Sequence, residues 1–261
     1  MDLGLNGKVA VVTGGSDGLG RATAERLCEE GAAVALCARG ADRLRAVAEG
    51  IRRRGGEALD VPADVMRPAD LERFVGTALE RFGRIDILVN NAGTSAAGPF
   101  EGVDDATWQA DLELKLFAAI RCTRLCLPAM RRAGGGRIVN ILNTAAKAPP
   151  ARSVPTSVSR AGGLALTKAL SKELAPDNIL VNAVCIGLVK SGQWERRWER
   201  EGRPGTLDEF YARVARELGV PLGRIAEASE LAALVAFLAS SQAAYVTGVA
   251  INFDGGLVDI V

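Results

Sequence analysis

The side chain that most readily moves protons near neutral pH is missing from this chain. No histidine occurs among the 261 residues, so Ser-His-Asp catalysis, Cys-His catalysis and histidine-ligated metals are all excluded. Acid–base work falls to Lys, Tyr, Asp, Glu or Cys, and the only tyrosines are Tyr211 and Tyr245. The five cysteines are odd in number and irregularly spaced, which fits a reducing compartment better than a disulfide framework. Cys122 and Cys126 share a helix face but have no histidine and no close third cysteine, so they read as a core pair, and no metal site is expected. The clearest ligand chemistry lies in Thr13-Gly14-Gly15-Ser16-Asp17-Gly18-Leu19-Gly20, where an apolar run ends in spaced glycines and a helix-competent segment follows. Glycine lets a ligand approach the backbone without a Cβ in the way, and the free N–H groups at a helix start attract anions. Strand, glycine turn and helix together read either as a pyrophosphate seat or as a tight βα turn that binds nothing.

Positioning such a turn requires a sheet, and the chain alternates short apolar runs with longer amphipathic segments. Strands are predicted at Val9–Thr13, Ala33–Ala38, Glu57–Val61, Ile85–Asn90, Gly136–Ile141, Leu180–Cys185 and Val249–Phe253. Helices are predicted at Gly18–Glu30, Ala41–Arg54, Pro68–Phe82, Asp104–Arg132, Pro155–Ala175 and Ser229–Ala239. Alternating strands and helices imply βαβ units and one α/β domain over 1–261, a doubly wound parallel sheet with helices on both faces. In such a sheet the ligand crevice lies beyond the strand C-termini, where strand order reverses. The stretch 190–223 stands apart: it is rich in charge, carries Trp194 and Trp198, and is broken by Gly202, Pro204, Gly205 and Pro221. It reads as a lid-like insertion or, equally, as a solvated arm or subunit contact.

Composition narrows the partners. A net charge of +1, without a basic block interleaved with aromatics, argues against nucleic acid and anionic membrane. No apolar run is long enough to span a bilayer. The first residues also lack a charged-then-apolar leader pattern, so a cytoplasmic location is expected.

With these segments placed, nearly the whole chain resembles the short-chain dehydrogenase/reductase family of the single-domain, Rossmann-type class. The resemblance rests on the glycine stretch above, Asp64-Val65, Asn90-Asn91-Ala92-Gly93, Arg137-Ile138-Val139-Asn140-Ile141, Val181-Asn182-Ala183-Val184 and Thr247–Gly256. It implies that Gly14, Ser16, Asp17, Gly18, Leu19 and Gly20 surround a dinucleotide's pyrophosphate and adenosine ribose. Asp64 and Val65 would meet the adenine, and Asn91, Ala92 and Gly93 the riboses. In the later segment the family's usual Pro-Gly is Ile186-Gly187 here; Gly187 would still border the cofactor, and Val189 and Ser191 would meet the nicotinamide carboxamide. Read singly, Asp64 could instead cap the following helix and Asn90 could simply brace the sheet. At the end of the second predicted strand, Ala38 stands where an acid would hold the ribose hydroxyls of NAD, and Arg39 follows with a guanidinium suited to phosphate. The expected cofactor is therefore NADP(H) in preference to NAD(H), although Asp17 would mildly repel the phosphate.

The family's acid–base set is where the pattern departs. Thr156 falls at the position of the family's tyrosine, Arg160 at its lysine, Asn143 at its serine and Lys115 at its asparagine. A threonine hydroxyl does not titrate near neutrality, arginine stays charged, and an asparagine amide can still polarise an oxygen. Lys115 is the one new titratable group there, either a lowered-pKa acid or nucleophile beside Arg160, or a lysine that snorkels to water or pairs with Asp111 or Glu113 on its own helix. Lys147, Tyr211 and Cys185 are weaker candidates.

Three readings follow. The first is an oxidoreductase acting on C=O, C=N or activated C=C without the usual tyrosine–lysine pair. The others are a cofactor-binding protein without turnover, and a non-redox lyase or isomerase using Lys115. The resemblance also implies a small-molecule substrate and a homodimer or homotetramer packed through helices near 104–132 and 155–175.

Overall fold

The computed structural model describes residues 1–261. Seven parallel strands form one sheet in the order β3-β2-β1-β4-β5-β6-β7. They are β1 (Val9–Thr13), β2 (Ala33–Ala38), β3 (Ala58–Pro62), β4 (Ile87–Asn90), β5 (Gly136–Asn143), β6 (Ile179–Ile186) and β7 (Ala250–Phe253). Successive side chains on a strand point to opposite faces, so each central strand feeds two cores. Ala10, Val12, Val34 and Leu36 join a cluster with Leu27, Leu44, Leu231 and Val235 on one face. Val11, Ala35 and Cys37 join Phe74, Cys122 and Met130 on the other. All seven predicted strands are present. β4 begins two residues later than predicted, because the Asp86 carboxylate is held by Arg84 and by the Val9 N–H.

The helices are α1 (Gly18–Glu29), α2 (Ala41–Arg53), α3 (Pro68–Phe82), α4 (Asp105–Leu112), α5 (Ala118–Arg132), α6 (Thr156–Glu173), α7 (Gly192–Arg200), α8 (Leu207–Glu217) and α9 (Ala228–Ala239). The single helix predicted over Asp104–Arg132 is corrected in one respect. Asp104 caps it through the Thr107 N–H, but a five-residue π turn, Glu113–Phe117, separates α4 from α5. Wide turns of this kind tend to occur at functional sites, and Lys115 lies inside this one.

The charged stretch after β6 forms α7 and α8, which pack on a small core of their own around Phe210, Tyr211, Val214 and Ile225, with Trp194 and Trp198 against it. Lys190 anchors the entry to this unit by an ion pair with Glu227 at 2.6 Å and lies over the Tyr211 ring. No helix is long and apolar enough to cross a membrane.

Candidate active site

Strand order reverses between β1 and β4, and a crevice of about 930 Å³ opens beyond their C-termini. That volume suits a cofactor together with a small substrate. At one end is the glycine turn. Gly14 adopts φ +71°, a conformation only glycine takes without strain, and with Gly15 it donates to the Cys37 carbonyl across the β1–β2 edge. Asn91 Nδ2 donates to the carbonyls of Thr13 and Gly14, locking the turn to β4. Gly14, Ser16, Asp17, Gly18 and Leu19 line the crevice, whereas Gly20 does not. A Cβ on Gly20 would stand 2.2 Å from the Gly14 carbonyl oxygen, so its smallness serves helix-on-strand packing.

Asp17 has a specific position. Its Oδ1 accepts from the Gly18 N–H at 2.7 Å and so caps α1. Its Oδ2 faces the start of α7, where a Cβ on Gly192 would lie 2.2 Å away and Arg196 Nη1 is at 3.8 Å. One carboxylate thus sits between two positive helix ends.

Arg39 lines the same wall, exposed and without a carboxylate partner, and Arg43 lies beside it in the same state. The sequence reading missed Arg43. Its signal was the four-residue spacing from Arg39 across the start of α2. Asp64 and Val65 follow on the crevice wall. Asp64 does not cap α3, whose N-cap is Arg67; its Oδ1 accepts from the Met66 N–H in a local turn. Asn90 does brace the sheet, through Asn140 Oδ1 at 2.9 Å, and Asn140 continues to Thr167.

At the other end the walls are Asn91, Ala92, Gly93, Asn143, Thr156, Arg160, Gly187, Val189 and Ser191. A Cβ on Gly93 would come 2.5 Å from Arg160 Nη2, so glycine there leaves room for the guanidinium. Arg160 Nη1 donates to the Ile141 carbonyl at 2.8 Å, while its Nε and the nearby Asn143 Oδ1 are buried with no partner. Buried polar groups of this kind are rare and costly unless something fills them. Burial pulls the Arg160 pKa down to about 10.

Lys115 is not on the crevice wall. Its side chain is 0% exposed and packs behind Thr156, bonded to Asp111 Oδ1 and, at 2.9 Å, to Thr156 Oγ1. Asp111 Oδ2 accepts from Ser159 Oγ at 2.6 Å. Thr156 Oγ1 also accepts from the Ala96 N–H at 3.0 Å, which leaves its own proton available to donate, and Thr156 lines the crevice. Burial, helped by the Arg160 charge and opposed by Asp111, brings the Lys115 pKa down to about 8.

The weaker candidates lie elsewhere. Lys147 Nζ is spent on the Ala250 carbonyl and Asn252 Oδ1. Cys185 is buried, and burial raises its thiol pKa. Tyr211 is in the α7–α8 core, pushed up to about 12 by burial, and Tyr245 is fully exposed. From α7, Trp194, Arg196, Arg197 and Arg200 also reach the crevice, a contribution the sequence reading gave only as a lid-like stretch.

The short chain dehydrogenase family pattern matches residues 8–202. A Streptomyces violaceoruber protein, "Granaticin polyketide synthase putative ketoacyl reductase 1", is 40% identical over 255 residues, covering 95% of this chain and 92% of that protein. The structure of L-sorbose reductase from Gluconobacter frateurii, complexed with NADPH and L-sorbose, superposes with a TM-score of 0.95 at 36% identity over 100% of both chains. The NADPH-bound structure of a Pseudomonas aeruginosa PAO1 short chain oxidoreductase, described as containing an atypical catalytic center, superposes at 0.92 with 39% identity. That match covers 97% of this chain and 98% of the other.

Proposed function

Because this chain belongs to the short-chain dehydrogenase/reductase family, we propose that it is an NADP(H)-dependent oxidoreductase acting on a small substrate's C=O, C=N or activated C=C bond. It does so without the tyrosine–lysine pair usual in the family. The observation that carries this reading is a single crevice with unpaired Arg39 and Arg43 at one end and Asn143, Thr156 and Arg160 at the other. The residues fit the dinucleotide: a glycine turn at a helix start, no acid at Ala38, and, on the same crevice wall, a buried Arg160 Nε and a buried Asn143 Oδ1, each without a hydrogen-bond partner. NADPH in the sorbose reductase and in the Pseudomonas oxidoreductase supports the same choice.

A nicotinamide bound there would supply or accept the hydride. Arg39 and Arg43 would hold a 2′-phosphate, Arg160 the ribose nearest the reacting carbon, and Val189 and Ser191 the carboxamide. Asn143 and Thr156 would orient the substrate's oxygen or nitrogen by hydrogen bonds, and α7 would close over both as a lid. Removing a general acid costs on the order of 10²–10⁴ in rate, so substrates with a basic or activated acceptor fit best. Exposed Phe117 and Val158, beside α5 and on α6, offer apolar surface to a second copy of the chain.

The test is NADPH oxidation by the purified protein across a panel of imines, enones and ketones. Oxidation with at least one class is expected, with slower turnover on NADH. NADPH binding without oxidation across the whole panel would favour a binding-only protein, in which Asp111 simply neutralises Lys115. Lys115 contributes no surface to the crevice, so a non-redox reaction with Lys115 as the contacting base is not proposed.

A further inference from the structure

We infer that Asp111, Lys115 and Thr156 form a proton relay: Thr156 is the catalytic residue that touches substrate, Lys115 loads it from behind, and Asp111 with Ser159 positions Lys115. The inference rests on the oxidoreductase reading above. Its basis is a chain of contacts that local sequence does not dictate. Ser159 and Thr156 are on α6, Asp111 on α4 and Lys115 in the π turn, and all four are less than a tenth exposed. The Asp111 carboxylate is shared between Lys115 Nζ and Ser159 Oγ, so it is held from both sides. Lys115 Nζ then has one further partner, Thr156 Oγ1 at 2.9 Å. With the Ala96 N–H and the ammonium filling its acceptor positions, the Thr156 hydroxyl has its proton left to donate, and Thr156 lies on the crevice wall.

For reduction of a carbonyl, the steps balance. A bound nicotinamide would supply the hydride to the carbon, and the C=O π pair would move to oxygen. That oxygen takes the Thr156 Oγ proton as Oγ takes one from Lys115 Nζ, so no free alkoxide forms. The products would be the alcohol, the oxidised nicotinamide and a neutral Lys115 amine. After the product leaves, a proton from solvent in the crevice would return to Lys115 through Thr156, because the Lys115 side chain has no exposed surface of its own. The charged groups facing Lys115 are Asp111 on α4 and Arg160 on α6. They act in opposite directions, and burial keeps the ammonium acidic enough to give up a proton near neutral pH.

The experiment is the pH profile of kcat for the intact protein, its Lys115→Met, Lys115→Arg, Asp111→Asn, Thr156→Val and Thr156→Ser variants, with NADPH affinity measured in parallel. In the wild type kcat should fall as pH rises through about 8. Lys115→Met and Thr156→Val should each lose about 10²-fold in kcat with NADPH affinity within about twofold. Thr156→Ser should keep most of the rate. Lys115→Arg should remain charged yet lose both rate and pH break, and Asp111→Asn should move the break to lower pH. A wild-type profile flat through this range, or unchanged kcat in Lys115→Met, overturns the relay and leaves the oxidoreductase reading intact. Absence of turnover with every substrate overturns both. Independently of turnover, ¹³Cε-lysine NMR should show Lys115 titrating well below its ordinary value, and titration at the ordinary value would overturn the relay.

Discussion

The two ends of the crevice are built from different materials. The end at Gly14–Gly20 is made of backbone: a positive-φ glycine, carbonyls tied to Asn91, and cations from Arg39 and Arg43 that stand free in solvent. The end at Thr156 is made of interlocked side chains, with Asp111, Lys115 and Ser159 buried behind Thr156 and bonded to it or to one another, and Thr156 alone of the four lining the crevice. Solvated charges can be removed at a modest cost, whereas a buried charge deprived of its partner is expensive. The comparison therefore predicts steep effects on stability at the reacting end and shallow effects on affinity at the nucleotide end.

The largest effect should come from Asp111→Ala. It leaves the Lys115 ammonium buried beside Arg160 without its counter-charge, at a cost of about 3–5 kcal/mol, with Tm falling by roughly 10 °C in a thermal melt. The double variant Asp111→Ala/Lys115→Met should recover much of that loss. If the single and double variants melt alike, the two ends are not as different as argued.

Next is the pH dependence of stability. The Lys115 pKa is about 8 in the folded protein against about 10.5 in the unfolded chain, so between those values the unfolded state holds the extra proton. Stability from this group therefore rises with pH across that window, by at most about 3 kcal/mol. Cys28 and Tyr211, each raised to about 12 by burial, act oppositely, as do Cys37 and Cys185, raised by burial, and Cys126, raised by its contact with Cys122 and by burial, so these groups lose stability as pH climbs above about 9. In denaturant titrations from pH 7 to 10, the stability difference between wild type and Lys115→Met should rise as pH passes through about 8, and a difference that stays flat would contradict the burial of a charged Lys115.

Smaller effects belong to the nucleotide end. Arg39→Gln with Arg43→Gln should weaken NADPH about tenfold or more while leaving NADH within about twofold, as expected for charge-assisted bonds to one phosphate. Equal losses for both cofactors would remove the phosphate assignment. Asp17→Asn should do the opposite and tighten NADPH a few-fold. The amide still caps Gly18, but the negative charge between α1 and α7 is gone, a change of about 0.3–1 kcal/mol. Fluorescence titration resolves both.

The same contrast decides what the sequence could reveal. Strands β1 to β7 and the glycine turn are local patterns, and reading periodicity and glycine spacing finds them. The π turn is hidden because Glu113–Phe117 carries no glycine or proline, so its residue types do not set it apart from the helix on either side. The bonds joining Lys115 to Thr156 and Asp111 to Ser159 span 41 and 48 residues, and nothing in the local spacing of either segment announces them. Lys115 was legible as an unusual residue at a reacting position, but not that Thr156 would stand between it and the crevice. Arg43 was missed because cofactor preference was read only at the end of β2.

Calorimetric titration of the protein with NADPH and then NADH bears most directly on the central claim, that a nucleotide crevice with a phosphate-reading wall persists around a rebuilt reacting end. The account predicts saturable heat for NADPH and at least tenfold weaker binding of NADH. No heat from either nucleotide at millimolar concentration, or tighter binding of NADH, would contradict it.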